Sequence, residues 1–268
     1  MTRNKTERQE QMLAHLERFG SMTLTEMTER FGCSEATARR DLDDLEKAGK
    51  VIRTMGGGAK YAGGGLVREV PFREKQHERY REKEGIARFA ASLAEEGDVI
   101  GLTGGTTTFL IARELKKRRN MTIVTNAVNI AMELAECEEL QVVLTGGVLR
   151  NRSFELCGPL AEQTVKAVNI HKMFMGVDGV TARGVSTYSE LEANIAALLM
   201  GRSKQTIAVF DSSKIGKNSL FHVASLGELH ACITDRIPES QELAAELTGI
   251  QVYAAADGKK DPFSGEEE

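Results

Sequence analysis

The run Thr103-Gly104-Gly105-Thr106-Thr107-Thr108 sits between an apolar segment and one with helical spacing. Glycines let a ligand approach the backbone, amides at a helix start point outward, and threonine hydroxyls add donors, so the loop suits an anion such as a phosphate. A purely structural Gly-Gly turn capped by Thr106 would use the same residues. The loop is neither a P-loop, which needs Gly-x-x-x-x-Gly-Lys-Ser/Thr, nor a dinucleotide Gly-x-Gly-x-x-Gly, which disfavours nucleoside triphosphates and nicotinamide cofactors. Thr125-Asn126 and Thr145-Gly146-Gly147 are two further loops of this kind. Each alone is an ordinary cap or turn. Three in succession offer the short polar groups a polyhydroxylated ligand needs, and Asn126 both donates and accepts. Charge enters at Asp178, with Gly179 and Gly184 behind it, and at Asp211-Ser212-Ser213-Lys214. Lys214 can neutralise a phosphate, and Asp178 or Asp211 can accept from hydroxyls, although a turn aspartate and a surface lysine are the plain alternative.

These loops need elements to hold them. Apolar runs at Val99 to Leu102, Thr122 to Thr125, Leu140 to Leu144, Met173 to Val177 and Thr206 to Phe210 read as strands. Between them, Phe109 to Lys117, Val128 to Ala135, Leu160 to Val168 and Glu192 to Met200 read as helices. Alternating strands and helices predict a three-layer α/β domain with a mainly parallel sheet, whose ligands bind beyond the carboxyl ends of the strands.

The first sixty residues have a different pattern. Met12, Leu13, Leu16 and Phe19 recur at helical spacing before Gly20. Thr23 and Glu26 fit a capping box, with Leu24, Met27 and Phe31 on one face and Gly32 as the stop. Ser34 reads as the N-cap of a third helix reaching about Ala48, with Ala38, Leu42 and Leu45 turned inward and Gly49 ending it. Its outward face near the amino end carries Glu35, Thr37, Arg39 and Arg40, where a recognition helix meets base edges and phosphates. Ser34 can add a phosphate contact, whereas Asp41, Asp43, Asp44 and Glu46 further along would repel the duplex. Lys50 to Thr54 followed by Gly56-Gly57-Gly58 reads as a strand and hairpin tip, a wing with Arg53 set for the DNA backbone or minor groove. An ordinary three-helix bundle with a solvated Arg-Arg pair is the competing reading.

Gly63-Gly64-Gly65 and Pro71 place a linker over residues 59–75, between a winged helix-turn-helix at 1–58 and an α/β domain at 76–253. The charged stretch Arg73 to Glu84 reads as the solvated start of the α/β domain's first helix, and residues 254–268 as a disordered polar tail. The chain has 268 residues with a net charge of −4, and residues 1–60 hold 11 Lys/Arg against 10 Asp/Glu, a weak asymmetry. No apolar leader and no run of roughly 18 apolar residues is present, so a cytoplasmic protein without a membrane partner is expected. Cys33, Cys137, Cys157 and Cys232 form no C-x-x-C pair and the five histidines show no ligand spacing, so buried reduced thiols, no metal and no cofactor are expected.

Arg8, Met12 and Leu16, then Ser34, Thr37, Ala38, Arg39, Arg40, Asp41 and Leu42, resemble the helix-turn-helix signature of the DeoR family of sugar-responsive regulators. From about Arg79 to Tyr253 the chain also resembles that family's effector domain, at Gly104 to Thr108, Thr125-Asn126, Gly146-Gly147, Gly176 to Gly179 and Asp211 to Lys214. The resemblance implies a fold similar to ribose-phosphate isomerase and CoA transferases, a phosphorylated sugar as effector, and repression of a sugar-catabolic operon. One element departs from the pattern. Where many members carry Glu-Ala-x-x-Lys, this chain reads Glu192-Ala193-Asn194-Ile195-Ala196, which puts the effector and the charge balance of its pocket in doubt.

The expected function is thus a regulator that binds operator DNA as a homodimer or homotetramer and senses a phosphorylated sugar. Two alternatives stay open: an isomerase-like enzyme using Asp178, Asp211, Glu190 and Lys214 as acid and base groups, or a DNA-binding protein whose α/β half only oligomerises.

Overall fold

The computed structural model describes residues 5–19, 21–54, 57–61, 69–238 and 244–255. The chain divides into two compact units, Met1–Arg68 and Glu69–Glu268. The expectations for Gly20, Gly56, Gly63 to Gly65 and residues 256–268 lie outside the described residues.

The first unit comprises α1 (Lys5–Phe19), β1 (Ser21–Met22), α2 (Leu24–Phe31), α3 (Glu35–Lys47), β2 (Val51–Arg53) and β3 (Ala59–Tyr61). Met12, Leu16, Met27, Phe31, Ala38 and Leu42 meet in one buried cluster, closed by Val51 and Ala59 of the small sheet. The capping box forms: Thr23 Oγ1 accepts from the Glu26 amide at 3.3 Å, and the Glu26 carboxylate accepts from the Thr23 amide at 2.8 Å. Gly32 then turns the chain left-handed at φ 61°, which strains any residue with a side chain. β3 lies between β1 and β2, both antiparallel to it. Arg8 joins α1 to α3 through a buried ion pair, its Nε 2.6 Å from Asp41 Oδ2.

The second unit begins with α4 (Phe72–Lys75), α5 (Tyr80–Ser92), β4 (Val99–Leu102), α6 (Thr106–Leu115), β5 (Met121–Thr125), α7 (Val128–Leu134) and β6 (Leu140–Leu144). It continues through β7 (Val148–Arg150), β8 (Glu155–Cys157), α8 (Pro159–Lys166), β9 (Ile170–Gly176), β10 (Gly179–Thr181), β11 (Gly184–Thr187) and α9 (Glu190–Gly201). β12 (Ser203–Val209), β13 (Phe221–Ala224), β14 (Ala231–Thr234) and β15 (Val252–Ala254) complete it. The main sheet runs β15-β14-β12-β9-β4-β5-β6, and every adjacent pair is parallel.

Period-two alternation divides the core. Phe174, Ile207, Val209 and Ile233 face the layer of α5, α6 and α7, while Met173, Met175, Ala208 and Cys232 face α8 and α9. Both faces are therefore covered, as a parallel sheet requires, and the mixed α/β class with its mainly parallel sheet is the observed one.

The structure differs from the sequence reading in several places. α6 starts at Thr106 rather than near Phe109, so the three threonines form its first turn. The β7–β8 hairpin and the antiparallel β10-β11-β13 sheet are additions that short, non-alternating runs do not announce. The segment read as a linker is shorter, because residues 59–61 pair as β3 and residues 72–75 form α4. Ala254 ends an edge strand instead of opening a tail, and Ala255 packs on the core. The stretch Arg73 to Glu84 is two helices joined by a turn over Gln76 to Arg79, where Arg79 has a φ of 48°; it is mostly exposed, as expected, but Lys83 is only 3% exposed.

Replacing Arg8 by Met strands the buried Asp41 carboxylate, so urea unfolding of the first unit should show a loss of about 3–5 kcal/mol. The double variant Arg8→Met/Asp41→Leu should recover most of that loss, and a double variant as unstable as the single would assign Arg8 a different role.

Candidate functional site

Strand order places the site. From β4 the chain proceeds outward through β5 and β6, and it then resumes on β4's other side with β9, β12, β14 and β15. The connections leaving the carboxyl ends of β4 and β9 diverge, which opens a crevice there. Its walls come from the segments just beyond those ends: Thr103 to Thr107 after β4, Gly176 to Asp178 from β9, and Phe210, Asp211 and Lys214 after β12. Counting its open mouth, the crevice encloses about 870 Å³.

Glycines allow the two strand ends to meet. A Cβ on Gly176 would stand 3.1 Å from the Gly104 carbonyl oxygen, and one on Gly104 would stand 2.2 Å from the Glu155 carboxyl carbon. The Thr103 hydroxyl ties the ends together by accepting from the Gly176 amide at 3.0 Å.

Asp178 is the best-connected acid in the crevice. Its Oδ1 accepts from Lys75 Nζ at 2.5 Å, and its Oδ2 accepts from the Thr187 hydroxyl and the Tyr188 amide, each at 3.2 Å. Burial works against its charge, but Lys75 and Lys214 outweigh burial and hold the carboxyl below its ordinary range. Burial likewise opposes the charge on Lys75, yet Asp178, with Glu192 and Glu155 beyond, keeps its ammonium above the ordinary range. Lys83 is different: burial depresses it to about 8, and its Nζ donates to the Lys75 carbonyl at 2.7 Å. Lys214 is lowered by burial too, and its ammonium makes no hydrogen bond or ion pair among the described residues. Asp211 Oδ1 accepts from the amide and hydroxyl of Ser213, and Arg79 Nε lies 3.6 Å away.

Glu155 is a functional candidate that sequence reading missed. Burial, with Glu192 and Asp178 nearby, pushes its carboxyl up to about 8, and the Asn126 amide partly offsets this by donating to Oε2 at 2.9 Å. At neutral pH it is a mostly uncharged acid facing the crevice. Glu192, by contrast, is held by Arg150 Nε at 3.0 Å, and Arg150 also reaches Glu69 at 2.9 Å. Ala196, standing where the resemblance implies a lysine, lines the crevice, so its cations come from Lys75, Lys83 and Lys214.

Of the residues expected to bind a ligand, Gly104, Gly105, Thr106, Thr107, Asp178, Asp211 and Lys214 line one cavity. The others do not. Thr108 is fully buried and its hydroxyl donates to the Gly105 carbonyl. Asn126 sits behind Glu155, fully buried, as a positioning residue. Gly146 and Gly147 follow β6, two strands from the switch point, and pack against Leu160 and against Cys157 and Ala161. Lys75 and Lys83 give no motif signal, since a lysine in a charged stretch looks like surface.

On the first unit, Ser34 caps α3, its hydroxyl accepting from the Thr37 amide at 3.3 Å and sitting 2.9 Å from the Thr37 hydroxyl. Glu35, Arg39 and Arg40 are exposed on the same helix. Arg39 pairs with Glu35 at 3.3 Å, whereas Arg40 makes no ion pair among the described residues. Arg53 is not a free wing contact: its guanidinium lies 2.6 Å from Asp43 and also donates to the carbonyls of Arg39 and Gly57. It fastens the wing to α3. Asp44 is paired with Lys5 at 2.8 Å, so acids expected to repel DNA are largely neutralised within the unit.

All four cysteines are free, with Cys157 and Cys232 buried and Cys33 and Cys137 only half-buried. Among the described residues no helix is long and apolar enough to cross a membrane, and no group of His, Cys, Asp and Glu is arranged to hold a metal.

Comparison with known proteins adds two family matches: a DeoR-like helix-turn-helix domain over residues 8–62 and a DeoR C terminal sensor domain over 78–236. The chain is 34% identical to the lactose phosphotransferase system repressor of Streptococcus mutans, over 86% of this chain and 92% of that one. It is 36% identical to the HTH-type transcriptional regulator GlpR of Haloferax volcanii, over 78% and 81%. A ribose 5-phosphate isomerase from Methanocaldococcus jannaschii aligns over 49% of this chain and 52% of that one, at 19% identity and a TM-score of 0.35, and lends no activity to this chain.

The raised acid predicts a pH dependence. Between the ordinary carboxyl range and about 8, the unfolded chain ionises Glu155 while the folded chain keeps its proton. Stability should therefore fall as pH rises through that window, by at most about 1.4 kcal/mol per unit, and level off above it. Urea unfolding from pH 5 to 9 should show this slope in the wild type and its loss in Glu155→Gln; parallel curves would mean that Glu155 is ionised throughout.

Proposed function

The chain belongs to the DeoR family of helix-turn-helix regulators, and from that premise we propose that it represses a sugar-catabolic operon and releases DNA when a phosphorylated sugar binds the switch-point crevice. The observation that carries this reading is Lys214: a half-buried ammonium without an anionic partner among the described residues, sharing a cavity with the amino end of α6. Backbone amides at a helix start and a lysine together suit a phosphate. Lys83, lowered to about 8 by burial, stays mostly charged at neutral pH and is held so more firmly when an anion arrives. Asp178 and the neutral Glu155 then face the sugar hydroxyls as acceptor and donor.

The DNA contact falls to the amino half of α3. Arg40 is its free cation, Arg39 can exchange Glu35 for a phosphate or a guanine edge, and Ser34 and Thr37 lie at the helix start. Paired half-sites favour a homodimer or homotetramer. Val148 and Leu160, 74% and 63% exposed, are apolar surface that assembly would cover. A regulator of chromosomal DNA works in the cytoplasm. An isomerase reading would draw on Glu190 as an acid or base, and Glu190 is exposed and outside the crevice.

The test is selection of bound duplexes by the full chain, followed by titration of phosphorylated sugars into the complex. Arg40→Ala should weaken binding roughly tenfold to a hundredfold with the fold intact, and unchanged affinity at physiological salt would remove α3 as the reading helix. Lys214→Met should bind DNA normally yet resist release; release at the wild-type sugar concentration would move the phosphate elsewhere.

A further inference from the structure

Residues 69–75 carry more than a wall of the crevice. Glu69, Val70, Phe72 and Lys75 all line it, and they are the first residues of the second unit, immediately after the segment that leads from the DNA-binding unit. One part of this strap is fastened apolarly. Phe72 is 8% exposed, with its ring edge-on to Phe109 at 5.7 Å and to Phe154 at 5.6 Å, and its amide donates to the Arg152 carbonyl at 2.8 Å. Glu69 is held by Arg150.

Lys75 is fastened differently, because its ammonium and its carbonyl both hold crevice groups, the carbonyl accepting from the Glu78 amide at 3.2 Å as well. The ammonium pairs with Asp178, and the carbonyl accepts from Lys83 Nζ. Asp178 is divided in its loyalties: Oδ2 is fixed by Thr187 and the Tyr188 backbone, whereas the hydrogen bond to Oδ1 comes from the strap. A sugar hydroxyl arriving at Oδ1 thus competes with Lys75 and leaves the rest of the carboxylate's anchorage in place. A phosphate arriving at Lys83 competes for the second tie. The two ends of a phosphorylated sugar would draw on the two side-chain ties that meet at one residue.

We propose that Lys75 is the latch through which crevice occupancy is passed to the DNA-binding unit: with the crevice empty it pins the strap, and a phosphorylated sugar frees it by taking Asp178 and Lys83. The mechanism rests on the crevice being the effector site, and it adds that the reporter is the strap itself. A ligand changes DNA affinity only through a difference between two states, and the latched and released straps are those states.

The comparison uses the full chain and a duplex selected on the wild type, with no sugar added. Lys75→Gln should speed hydrogen exchange at the amides of residues 72–76 and weaken DNA binding about tenfold, as released wild type does. Lys75→Arg should keep both properties. Asp178→Asn, which keeps the shape and removes the charge, should loosen the strap from the other side, so the inference does not depend on one variant's folding. Faster exchange with unchanged DNA affinity overturns the coupling, and unchanged exchange overturns the latch. Melting of the wild type with ribose 5-phosphate, glucose 6-phosphate, fructose 1-phosphate and inorganic phosphate tests the effector reading separately. A wild type that none of them stabilises counts against the effector site and leaves the ligand-free comparison of variants standing.

Discussion

Two strands that lie side by side but send their connections in opposite directions must leave a gap, and β4 and β9 do so at the centre of the parallel sheet. The gap persists because Gly104 and Gly176 bring backbone to backbone where side chains would collide, with the Thr103 hydroxyl spanning the join. Everything chemical in the second unit is arranged about this point. α6 aims its amino end into it, the Asp211 to Lys214 turn faces it from β12, and Glu155 occupies the space that the missing Gly104 side chain leaves. A single backbone approach thereby places a helix amino end, lysines and carboxyl groups in one cavity.

On α3 and in the crevice the electrostatics follow one pattern, in which most acids are matched by nearby cations and some cations are left over. In the first unit Lys5, Arg8 and Arg53 take up Asp44, Asp41 and Asp43, so the acidic half of α3 is turned to structural use and Arg40 remains available. In the second, Arg150 neutralises Glu192, and Lys75 neutralises Asp178, leaving Lys214. Net charge says little about either surface; the unpaired cations say more.

Much of this is legible in the sequence because it is local. Capping residues such as Thr23, Glu26 and Ser34, and the left-handed Gly32, act within one turn of themselves, and their helices begin and end accordingly. The loops after β4, β9 and β12 are legible too, since short polar residues after an apolar run signal a strand end. Strand order is not local. Thr125-Asn126 and Thr145-Gly146-Gly147 look like the loop after β4 in composition, but β5 and β6 lie on one side of the switch point and carry them behind or away from the cavity. Glu155, Lys75 and Lys83 escape notice for the converse reason: each has a role set by burial and by partners distant in sequence. Arg53 carries the same lesson, because its distance from Asp43 is a property of the folded wing.

The far edge of the sheet extends the question of what counts as a domain. The match to the sensor-domain family ends at residues 235 and 236, just past β14, yet β15 returns from residues 252–254 to pair with that strand while Tyr253 stacks on Phe89 of α5. The family match and the fold thus draw different borders. A polypeptide cut after that match would carry every residue of the crevice and would still expose β14 as a raw edge of unsatisfied amides and carbonyls, a surface prone to pair with other chains. The stretch that the family match covers is shorter than the one that closes its own sheet edge.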